Sequence, residues 1–230
     1  MTGMHTPRTS RGFLFYACWA ILLALLAGYW ISPLLPVSAG WENGVIENTQ
    51  VAVCLFGLVC AIHYARRDRS LPDGWFWLII IPFWAAFAAR ELSWGATLFA
   101  PLEFSELTGP GFSSRSLPYR PLITPVLALV LLGCLYLAWR HRLDRFLAQL
   151  VQVRQFPLAE AALFVLCMMT SAVAEGHMGL LHLSSLDHLH AQVYEEWAEC
   201  LGYATLWLAQ LRIHSCLLYT SPSPRDKRQS

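Results

Sequence analysis

Between Phe13 and Leu35 the chain runs for twenty-three residues without a charge. A helix crossing a bilayer needs roughly 20 apolar residues, so this stretch alone favours a membrane fold. Five more apolar stretches follow. The second spans about Glu47 to Ala65, with a fifteen-residue core from Val51. Asn48, Thr49 and Gln50 then belong at the interface or against other helices, and Arg66, Arg67 and Arg69 close the stretch. The third runs from Trp75 to about Glu91, after a Leu71-Pro72-Asp73-Gly74 turn signal. Alanines 85, 86, 88 and 89 give it small surfaces for close helix contact. The fourth is Leu122 to Trp139, the fifth about Pro157 to Ala174 and the sixth about Glu195 to Leu211.

Only 13% of the 230 residues are charged, and 56% are hydrophobic. Soluble domains carry roughly 25% charged residues, and a chain of this length cannot bury so much apolar surface in water. The runs have helical length, and a bilayer admits only helices and closed barrels. The expected fold is therefore all-α: a polytopic bundle of about six spans over 13–212, after a cytoplasmic tail at 1–12. The first run is too long for a signal-peptide core and lacks a clean cleavage site, so it is read as a retained span. Ser93 to Tyr119, with three glycines and three prolines, is expected as an extramembrane loop, and Phe146 to Phe156 as a short amphipathic surface helix.

Charge orients the bundle. With the N-terminus inside, ten arginines (8, 11, 66, 67, 69, 140, 142, 145, 154 and 212) fall on the cytoplasmic side, and Arg90, Arg115 and Arg120 on the other. That bias predicts an N-in, C-in protein of the bacterial inner membrane. The seven cysteines show no metal-ligand spacing and read as small buried thiols. The segment 216–230, beginning CLLYTSPSPRD, resembles a translated sequencing adaptor and is set apart from the fold. Without it the formal charge moves from +1 to −1, with thirteen basic against fourteen acidic residues. No nucleic-acid partner is expected.

The same topology collects carboxylates at one depth. Glu47, Glu91, Glu175, Glu195, Glu196 and Glu199 all lie near outer helix ends, and charges near hydrocarbon face the bundle, a cavity or a partner. Glu199 lies on the face of Glu195, one turn on. Arg90 points in a different direction from its neighbour Glu91 and is not taken to neutralise it. The stretch Glu175 to Glu199 adds His177, His182, His188 and His190, with Asp187, and has no Lys or Arg. Such residues can hold zinc or another divalent cation. The metal candidates are thus His177, His182, Asp187, His188 and His190, on an extended outer loop where His188 and His190 face one way. Glu91 and Glu199 are the candidate general bases, with Glu47, Glu175, Glu195 and Glu196 as a surrounding polar cluster.

Two short elements carry a resemblance. Glu91-Leu92-Ser93-Trp94-Gly95 resembles the E-[IL]-S-W-G element of uncharacterised bacterial multi-pass proteins, and Glu195 to Tyr203 resembles their EE-x-x-E-x-x-G-Y element. That family implies a membrane bundle and brings no activity. More distantly, the chain is similar to the alkaline ceramidase-like membrane hydrolases, which use a Ser, an Asp and three His around zinc. Here Ser184, Asp187 and the histidines share one late loop, and the early-span motif is absent. The expected function is binding of a cation or lipid headgroup at the outer carboxylate and histidine cluster. The alternatives are a metal-dependent lipid hydrolase, a proton-coupled small-solute transporter, or a structural or partner-binding subunit. The expected partners are the lipid bilayer, a lipid headgroup or small solute, and a second copy of the chain.

Overall fold

A computed structural model describes residues 8–67, 74–176 and 186–220. It is an all-α bundle with several long apolar helices. The helices are α1 (Arg8–Ile31), α2 (Val45–Arg67), α3 (Gly74–Glu91), α4 (Arg120–Arg140), α5 (Leu143–Gln152), α6 (Leu158–Ala174) and α7 (His188–Thr220). Each of the six apolar stretches is helical. Among the described residues, three segments are long and apolar enough to cross a membrane: Gly12–Leu34, Val37–Arg67 and Arg120–Arg140. Leu158–Ala174 is apolar but shorter.

The longest helix, α7, organises the bundle by packing against α1, α2 and α6, while α3 lies along α2 and touches α4. Small residues set these approaches. Gly57 of α2 lies beneath the Trp84 ring of α3, where an added Cβ would come within 2.5 Å of ring carbon. The Trp84 indole donates to Gln210 Oε1 at 2.6 Å, and Gln210 Nε2 donates to the Gly57 carbonyl at 3.1 Å, tying three helices at one level. On the other flank, Tyr194 and Trp197 of α7 donate to the carbonyls of Leu25 and Ala24 in α1. By contrast, α4 buries only 6% of its most apolar window, so Leu129, Leu132 and Leu135 face outward. Apolar side chains on an outward face suit a lipid surrounding and cost free energy in water.

Three local features differ from the sequence reading. The helix of the sixth apolar stretch, α7, begins at His188, not near Glu195, because Asp187 caps it: its carboxylate accepts from the backbone N–H of Leu189 and of His190, each at 3.0 Å. The amphipathic helix α5 also starts earlier, at Leu143, and buries Leu143, Phe146 and Leu150. Finally, the irregular stretch after α3 contains a hairpin, β1 (Glu103–Ser105) paired antiparallel with β2 (Gly109–Gly111). Trp41 fastens it to the α1–α2 connection, with its ring against Gly109 and its Nε1 donating to the Leu107 carbonyl at 3.2 Å. Glu42 accepts from Phe112 N–H at 2.5 Å. Between α3 and the hairpin, Trp94 and Gly95 both take positive φ, of 59° and 96°. Gly95 suits that left-handed turn, and Tyr119 holds it by donating to the Trp94 carbonyl at 2.9 Å.

Candidate metal centre

Helical geometry brings the carboxylates together. On α7, Glu196, Glu199 and Tyr203 are spaced three and four residues apart, so they lie along one face. That face meets the end of α3, which supplies Arg90 and Glu91. One oxygen from each of Glu91, Glu196 and Glu199 lies within 4.8 Å of the other two. Glu91 and Glu199 are 6% and 8% exposed, and no other such group occurs among the described residues.

A hydrogen-bond frame fixes the three. Tyr203, itself buried, donates its hydroxyl to Glu91 Oε1 at 2.6 Å. Ser171 of α6 donates to Glu199 Oε1 at 3.1 Å. Gln50 of α2 donates from Nε2 to Glu196 Oε2 and to the Glu196 carbonyl, both at 2.8 Å. Its other amide atom, Oε1, is buried without a hydrogen-bond partner. Arg90 closes the frame, contradicting the expectation that it points elsewhere. Its long side chain bends back so that Nη1 lies 3.2 Å from Glu91 Oε1 and 3.0 Å from Tyr203 Oη, while Nη2 lies 3.1 Å from Glu199 Oε1.

Charge balance decides what this arrangement can hold. Among the described residues the one guanidinium bonded to the trio is that of Arg90, which reaches Glu91 and Glu199 but not Glu196. A buried charge without a partner is costly, so the surplus negative charge calls for protons or a bound cation. An all-oxygen donor set of three carboxylates suits a hard ion such as Mg²⁺, Mn²⁺ or Ca²⁺ better than zinc.

The surrounding carboxylates extend the acidity outward. A cleft of about 570 Å³ opens between the hairpin and the ends of α6 and α7. Its walls include Glu42, Glu103, Glu175, Glu195, Glu196 and His188. Glu196 belongs both to the cleft wall and to the buried trio, so the two are continuous. Glu47 is buried one turn before Gln50 on α2 and accepts from the backbone N–H of Asn43 beside its own helix start.

Of the expected histidine-centred site, Asp187, His188 and His190 fall among the described residues. His188 and His190 stand on the first turn of α7, where residues two apart diverge, rather than on an extended loop. His188 lines the cleft. The His190 ring nitrogen lies 2.6 Å from Asp187 Oδ2. Asp187 is thereby engaged in capping, its carboxyl held below the usual range first by the His190 ring and then by the backbone N–H of His190. His177, His182 and Ser184 lie outside the described residues. Glu91 and Glu199, expected as bases, are also candidate ion ligands together with Glu196.

Sequence reading missed Gln50, Ser171 and Tyr203 as functional residues. Gln50 carried a signal, as one of the polar residues shortening the core of the second stretch. Tyr203 ends the second of the two short elements, and its bond to Glu91 joins that element to the first. Comparison of the chain with protein-family models, with characterised proteins and with solved structures gives no match.

Proposed function

We propose that this protein is a six-span enzyme of the bacterial inner membrane, with a divalent-cation centre at Glu91, Glu196 and Glu199, that hydrolyses the headgroup linkage of a phosphate-bearing lipid. The observation carrying this reading is the trio of carboxylate oxygens within 4.8 Å, served by one guanidinium. A bound divalent ion would supply Lewis-acid polarisation of the scissile phosphoryl group and a more acidic water. Arg90 is the second reason for a phosphate. Its side chain is 53% exposed while bonded to Glu91, Glu199 and Tyr203, so its outer edge can still meet an anion drawn to the cation. Gln50, Ser171 and Tyr203 are positioning residues that hold the carboxylates.

Transport is the weaker reading. Tyr203 belongs to a buried, mainly apolar cluster with Cys54, Ala61, Trp84 and Ala88, in which the Gln210 amide is taken up by Trp84 and the Gly57 carbonyl.

The test is headgroup release, followed by ³¹P NMR, from vesicles of phosphatidylethanolamine and phosphatidylglycerol carrying the purified protein. Release that stops with EDTA, returns with Mn²⁺ or Mg²⁺, and is abolished in Glu199→Gln is expected. Release that persists in EDTA or in Glu199→Gln contradicts the proposal, as does the absence of release with either cation.

A further inference from the structure

At the opposite, arginine-rich end of the bundle lies a second cavity, unlike the acidic cleft in every chemical respect. It has a volume of about 510 Å³ and sits between α1, the start of α6 and α7. Its lining contains two guanidiniums, Arg154 and Arg212, and no carboxylate. The remaining wall is apolar and aromatic, with Phe15, Trp19 and Leu22 of α1 among its residues. We propose that this cavity binds the phosphate headgroup of an anionic phospholipid, with the acyl chains lying along the aromatic face of α1.

Two observations on the arginines support that occupant. Arg212 is anchored: its Nε and Nη2 both reach Glu160 Oε1, at 2.7 and 2.6 Å, and Nη1 has no partner among the described residues. Glu160 is buried behind it and absent from the cavity wall, so Arg212 is held in place while its outer edge still faces the cavity. Arg154 is the opposite case. It is exposed and has no side-chain partner among the described residues. It also occupies a left-handed backbone position, φ 54°, at the turn that ends α5. Glycine is the usual residue there, and a side chain costs roughly 1–2 kcal/mol. The exposed Arg154 guanidinium is thus available to share an anion with Arg212 across the cavity they both line.

The wall chemistry separates a lipid from a free phosphate. Phe15 and Trp19 are 57% and 50% exposed beside the cavity, on a helix apolar enough to cross a membrane. A free anion would leave that surface bare, whereas a phospholipid covers it. Basic pockets between spanning helices on the cytoplasmic side are suited to anionic headgroups, and Arg154 and Arg212 lie on the side that the arginine bias assigns to the cytoplasm. The proposal does not depend on the carboxylate centre.

The backbone at residue 154 offers a clean test. Arg154→Gly removes the guanidinium while easing the left-handed turn, so binding and folding move in opposite directions. The experiment is native mass spectrometry of the full chain in detergent, titrated separately with phosphatidylglycerol, phosphatidylcholine and inorganic phosphate. Wild-type protein is expected to retain phosphatidylglycerol in preference to phosphatidylcholine. Arg154→Gly should weaken phosphatidylglycerol retention about fivefold, the effect of one arginine near an anionic headgroup, with its melting temperature unchanged or raised. Arg154→Lys should recover most of the retention. Equal retention of the two lipids, or undiminished phosphatidylglycerol in Arg154→Gly, overturns the proposal. Inorganic phosphate displacing the lipid at equal concentration overturns the lipid assignment.

Discussion

Replacing Arg90 with glutamine tests the charge balance of the carboxylate centre. The guanidinium bonds Glu91 and Glu199, whose side chains are 6% and 11% exposed, while its own side chain is 53% exposed. A hydrogen bond to a charged group is worth about 1.5–3 kcal/mol, and the lower half of that range applies to a donor half in water. Loss of roughly 2 kcal/mol corresponds to a melting temperature lowered by about 4–8 °C for a chain of this size. A divalent cation should reverse much of the loss, since the variant leaves three carboxylates with no basic partner and a ligand at a hundred times its Kd contributes about 2.7 kcal/mol. The assay is thermal unfolding in detergent, with EDTA and then with rising Mg²⁺ or Mn²⁺. Arg90→Gln should be less stable than wild type in EDTA and more strongly stabilised by the ion. An equal response to metal in the two proteins, or a variant as stable as wild type in EDTA, refutes the reasoning.

Two further predictions concern the rest of the fold. Removing one partner of the Glu160–Arg212 pair by Arg212→Met strands a fully buried carboxylate and should cost about 3–5 kcal/mol in unfolding free energy, whereas Glu160→Leu with Arg212→Met should recover most of it; a double variant as unstable as the single one contradicts this. Asp187 has its carboxyl pKa lowered by folding, so its contribution to capping α7 is present above the unfolded pKa of about 3.9 and lost as the pH falls through the folded value. Hydrogen exchange should therefore show the Leu189 and His190 amides less protected in Asp187→Ala at pH 6, with the difference from wild type vanishing at strongly acid pH; a difference independent of pH would assign the cap elsewhere.

Helical positions were the legible part of the sequence, because uncharged runs closed by arginine leave the backbone few other options in a bilayer. Helix starts were less so. Asp187 is a capping residue by type, but with four histidines around it the metal reading competed with the local one, and the first two turns of α7 were assigned to a loop. The hairpin at 103–111 was invisible because its two strands have three residues each, too short for an alternating pattern, and it is held by Trp41 and Glu42 from a distant connection. Glu91, Glu196 and Glu199 could be named one at a time. Their meeting depends on the rotation of α7 against α3, which is fixed by contacts such as Trp84 to Gln210 and Tyr203 to Glu91, and no spacing within one segment encodes it. Arg90 illustrates the same limit: adjacent residues diverge on a helix, yet a long side chain can return to its neighbour's carboxylate.

The most direct measurement of the central claim is the divalent-metal content and affinity of the full chain purified in detergent. It would be read by elemental analysis and by calorimetry with Mg²⁺, Mn²⁺, Ca²⁺ and Zn²⁺. Wild-type protein should bind one ion, favouring the hard cations over zinc, and Glu91→Gln with Glu199→Gln should abolish binding. His188→Ala with His190→Ala should leave it intact. Folded wild-type protein that binds none of the four ions, or binding that is lost with the histidines and kept without the glutamates, contradicts the account.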